Sequence, residues 1–106
     1  MKRELVNPVR DLLDAAVRHQ TIRLRCLLCP RVSHYDPHAM WWLFERKAWA
    51  DWIRDVPHHF YCPDCRKRNG AKVRPKIETL DGMVPVDRFL AMPSDRDWKN
   101  ALSRRR

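Results

Sequence analysis

Four cysteines, Cys26, Cys29, Cys62 and Cys65, fall in two C-x-x-C pairs with 32 residues between them. Two residues between thiols allow a tight turn that aims both sulfurs at one ion, while backbone N–H groups donate to them. Two such knuckles complete the closed tetrahedral four-sulfur shell that structural zinc prefers. The gap is longer than the roughly 15–20 residues of compact ribbons. A helical insertion over residues 37–55 accounts for the excess.

Thiolates are soft ligands, which narrows the metal to zinc or, as the alternative, an iron centre of the rubredoxin type. A redox dithiol is disfavoured by the doubled motif, which lacks a thioredoxin-like βαβ frame. Paired disulfides need an oxidising compartment, for which no export signal is visible. His34, His38, His58 and His59 flank the knuckles. With four thiolates present they are assigned to surface or supporting positions. A four-thiolate site has no open coordination position for an activated water, and no Ser/His/Asp or paired-carboxylate constellation stands out. The chain is therefore expected not to be an enzyme and to have no small-molecule substrate.

The formal charge is +9, which favours an acidic partner. Most of it sits after the second knuckle. Arg66, Lys67, Arg68, Lys72, Arg74 and Lys76 follow Cys65 with no acid between them, and the chain ends in Arg104, Arg105 and Arg106. On a strand, Lys72, Arg74 and Lys76 would share one face. No apolar run approaches the roughly 18 residues of a membrane span, so the expected location is the cytoplasm.

Residues 1–106 read as a single zinc-stabilised domain, a small α+β fold. An N-terminal amphipathic helix is expected over 7–20, capped by Asn7 with Pro8 at its first position. A two-knuckle core occupies 21–80. It has a strand at 21–25 and a return strand at 31–35. Helices follow at about 37–46 and 49–55, bent near Arg46 and Lys47, then an edge strand at 72–80. Trp41 and Trp52 are expected to be buried, with Glu45 paired or at the bend. Residues 81–106 form an extension with a basic tail: an Asp81-Gly82 turn that can open a hairpin into 83–86, one helical turn at 87–92, and a helix at about 95–103. That last helix is capped by Ser94 with Asp97.

The segments Cys26-Leu-Leu-Cys29 and Cys62-Pro-Asp-Cys65 resemble the paired knuckles of four-cysteine zinc ribbons and zinc-ribbon-like fingers. More loosely, residues 21–80 are similar to small bacterial zinc-ribbon proteins. The resemblance implies one structural zinc ion and a module that binds nucleic acid or docks on a larger assembly. The basic cluster favours nucleic acid, and a transcription-related regulator is one form of that expectation. The alternative is a protein-interaction adaptor anchored by its tryptophans.

Overall fold

The computed structural model describes residues 8–105, and the expected cap at Asn7 lies outside them. Four α-helices and a three-stranded antiparallel sheet make a small α+β fold.

Helix α1 spans Leu12–Val17, shorter than expected, with Asp11 as its N-cap accepting from the Asp14 N–H. Pro8 to Arg10 stay outside it because this stretch bonds elsewhere. The Arg10 carbonyl accepts from Ile53 N–H at 2.9 Å, and Leu12 N–H donates to the Asp51 carbonyl at 3.0 Å. After Val17 the chain turns through His19 at φ +56°.

Strand β1, Thr21–Arg25, lies at the centre of the sheet between β2, Val32–Tyr35, and β3, Lys76–Leu80. Ile22 faces Tyr35 on one side and Thr79 on the other. Ile22 and Leu24 point into the core, as alternation along a strand dictates.

Helix α2, Pro37–Lys47, starts at Asp36, whose carboxylate accepts from His38 N–H at 2.7 Å. Pro37, Met40, Trp41 and Phe44 are buried, and Met40, Trp41 and Phe44 pack with Leu12 and Ala15 of α1, Val56 and Ala101. The bend falls at Ala48, at φ +57°. An L-residue there costs about 1–2 kcal/mol. Ala48 is exposed, so Ala48→Gly removes no packing and is expected to raise unfolding stability by about 1 kcal/mol in a denaturant titration.

The helix expected at 49–55 does not form. Residues 51–53 are held against residues 10–12 by the two bonds above, and a 3-10 helix follows at Ile53–His59, continuing through Pro57. Ile53 packs on the core, whereas its neighbour Trp52 turns outward and is 47% exposed, with the Arg54 guanidinium over its ring. Trp52 is therefore not the core residue that helical periodicity suggested. Trp41 is buried, and Glu45 pairs with Arg104 at 3.6 Å.

Strand β3 begins only after Pro75, so Lys72 and Arg74 are not on it. The Val73 carbonyl accepts from Cys62 N–H at 2.9 Å, tying this stretch to the second knuckle instead of the sheet. Neither the hairpin at 83–86 nor the helical turn at 87–92 is present. Thr21 Oγ1 takes the Val84 N–H at 3.0 Å, and the chain then crosses to the free edge of β2. There Asp87 accepts from His34 N–H at 2.7 Å. Covering an edge in this way satisfies strand groups that would otherwise stay unpaired.

Helix α4, Asp95–Arg105, carries the expected cap: Ser94 Oγ accepts from Asp97 N–H and donates to the Asp97 carboxylate. Trp98 packs edge-on against Trp41 at 5.4 Å, docking the helix on α2. The helix continues through Arg105, and Arg106 lies outside the described residues. Among the described residues no helix is long and apolar enough to cross a membrane.

Candidate metal centre

The two knuckles have different architectures. The first is the hairpin turn itself: β1 runs straight into Cys26, whose N–H donates to the Arg31 carbonyl at 3.0 Å before β2 begins. Leu28 N–H points at Cys26 Sγ at 3.3 Å. The second knuckle is the first turn of a helix, α3, Pro63–Asn69. Cys62 is its N-cap, with Sγ accepting from Cys65 N–H at 3.5 Å. Pro63 holds the first helical position and Gly70, at φ +76°, ends it. Proline at the start and glycine just past the end are a helix signature legible in the sequence, and no helix was expected here.

The four sulfurs lie within 4.8 Å of one another. Cys26 to Cys65 is 3.7 Å and Cys29 to Cys62 is 3.6 Å. A tetrahedron of sulfurs at about 2.3 Å from a central ion has edges of about 3.8 Å, so both contacts match ligands sharing one ion. They are far beyond the roughly 2.05 Å of a disulfide. Cys26, Cys62 and Cys65 are buried and Cys29 is half-buried. Four cysteines are therefore placed to hold a metal ion. His34, His38, His58 and His59 are not among the ligand atoms gathered there.

The sulfurs differ in their hold on protons. Burial pushes the Cys26 thiol up, but the Leu28 and Cys29 N–H groups and the neighbouring thiols outweigh it and bring it down to about 7. Burial, reinforced by the other three cysteines, pushes Cys65 up to about 12 against the pull of Arg68. Cys62 is likewise raised, chiefly by burial. Metal uptake must displace these protons. Arg68 Nη2 lies 3.7 Å from Cys65 Sγ. Its positive charge offsets part of the excess negative charge that four thiolates place around a divalent ion.

The structure distributes the six basic residues around this centre. Arg66, Lys67 and Arg68 are consecutive on α3, so they splay around it at about 100° per residue. Arg66 donates to the Gly70 carbonyl at 2.9 Å, closing its own helix. Arg74 reaches the carbonyls of Pro57 and His58, and the Lys72 ammonium lies 5.8 Å from the Tyr61 ring centroid. Lys76 opens β3. The single strand face expected for Lys72, Arg74 and Lys76 does not exist, because the first two precede the sheet. All six are exposed, and none forms an ion pair with a carboxylate among the described residues.

Compared with protein-family models, curated proteins and solved structures, the chain matches none. The zinc-ribbon likeness rests on the two knuckles.

Proposed function

We propose that the protein is a non-catalytic module stabilised by one zinc ion on Cys26, Cys29, Cys62 and Cys65, and that it binds nucleic acid beside that ion. The closed four-thiolate donor set supports zinc in a structural role. The observation that carries the nucleic-acid reading is the fixed placement of unpaired cations. Helix α3 starts on the ligand Cys62 and displays Arg66, Lys67 and Arg68 within two turns, while Lys72 and Lys76 follow on the return to the sheet. Cations held on a rigid frame attract phosphates with little loss of freedom, and their affinity falls with salt as counterions are released.

Arg68 and Arg74 have structural contacts, so the test uses Lys67, Lys72 and Lys76. Replacing all three with Gln is expected to leave the melting curve unchanged and to weaken binding. The plot of log affinity against log salt should flatten by roughly two to three units on duplex DNA. An unchanged salt slope would remove this surface from the reading.

A second reading, docking on a protein, is supported by apolar side chains on the 83–94 connection: Phe89 is 85% exposed and Met92 55%. Specific capture of a partner from nuclease-treated lysate, lost in Phe89→Ala, would favour it.

A further inference from the structure

The residue before the second knuckle stands apart from its neighbours. Phe60 packs inward, its ring 5.6 Å from Tyr35 and 6.2 Å from Phe44. Cys62 is buried in the sulfur cluster, and its N–H is bonded to the Val73 carbonyl. Between these two anchors the backbone is extended at Phe60, and Tyr61 is turned outward, 46% exposed. The backbone that carries this ring is anchored on both sides.

The exposed Lys72 ammonium lies over one face of the ring, 5.8 Å from its centroid. Arg31 shares a shallow cleft with it, walled by Pro63 and Pro75. Arg31 is itself paired with Asp64 at 3.2 Å, so Lys72 is the cation the ring shares with a ligand.

We propose that Tyr61 is a stacking platform for an unpaired base, so that the nucleic acid this surface takes is single-stranded. This rests on the nucleic-acid reading above and specifies its ligand. A half-exposed ring on an anchored backbone, with the Lys72 ammonium beside it, combines the two elements of sequence-tolerant single-strand binding: a face for the base and a charge for an adjoining phosphate. In a duplex both faces of each internal base are covered by its neighbours, so the ring gains nothing there. The backbone on both sides of Tyr61 is anchored, so little main-chain freedom is lost when a base lies on the ring.

The test is fluorescence anisotropy of the metal-loaded full chain with a labelled 12-nucleotide single strand and with the corresponding duplex, each across a salt series. Wild type is expected to favour the single strand. Tyr61→Ala and Tyr61→Leu should each weaken single-strand binding by about ten-fold, leave duplex binding and the salt slope unchanged, and melt like wild type. Tyr61→Phe keeps the ring and should bind like wild type. If Tyr61→Ala and Tyr61→Leu bind the single strand as wild type does, or lose duplex affinity equally, the stacking role is overturned while the nucleic-acid reading stands. If wild type binds neither strand at low salt, the nucleic-acid reading falls and this inference with it.

Discussion

Cys62→Ser is expected to abolish metal binding and to unfold the knuckle end of the molecule. The sulfur cluster is a second core, separate from the apolar one. It consists of Cys26, Cys62 and Cys65, with Cys29 and Val73 packed against it. One valine cannot hold two chain segments together by apolar burial, which is worth roughly 1.5–3 kcal/mol for such a side chain. A structural zinc site supplies about 10–16 kcal/mol of apparent binding energy, comparable to the about 5–15 kcal/mol net stability of a whole domain. Serine is a strong N-cap, so the substitution keeps the capping role of Cys62 on α3 and removes only a metal ligand. Loss of structure would then report the ion and not the helix cap. Elemental analysis should show metal in wild type and little in the variant. Circular dichroism should show lost helix signal, and solubility should fall. A chelator that strips the metal and leaves the wild-type melt intact would contradict this account. Acidification should release the metal as well, because protons compete for the thiolates.

Phe44→Ala is expected to cost about 3–5 kcal/mol, a large share of the total stability. Phe44 is fully buried on α2. It meets Trp49 edge-on at 5.1 Å, His59 at 5.2 Å and Phe60 at 6.2 Å. Those rings come from the segment beyond the Ala48 bend, from the end of the 3-10 helix and from the approach to the second knuckle. The side chain therefore joins α2 to the chain that carries Cys62. Truncation leaves a cavity that backbone from three different segments cannot collapse into together. Denaturant unfolding monitored by tryptophan fluorescence measures the loss. The outward-facing Trp52 supplies the contrast: Trp52→Ala should cost well under half as much, and a loss equal to that of Phe44→Ala would place Trp52 in the core after all.

Local chemistry alone determined much of this protein. The cysteine spacing marked the four sulfurs that meet, because a C-x-x-C turn brings its own pair together whatever surrounds it. Asp36-Pro37 and Ser94 with Asp97 marked two helix starts, because a cap is satisfied within a few residues of itself. The alternation in 21–25 marked the strand that became the centre of the sheet. Contacts between distant segments decided the rest. Residues 8–10 continue a helical pattern, yet residues 10–12 bond to residues 51–53 and α1 starts late. The same pairing keeps residues 51–52 out of a helix and turns Trp52 outward, reversing what periodicity implied. Residues 72–74 read as strand, but Val73 pairs with Cys62, and Lys72 and Arg74 stay off the sheet. A backbone group bonds to whichever partner the whole fold presents, and hydrophobic pattern records only which side chains prefer to be inside. Tyr61 shows the same division. The sequence places it next to a ligand; only the packing of Phe60 and Cys62 on either side leaves its ring facing out.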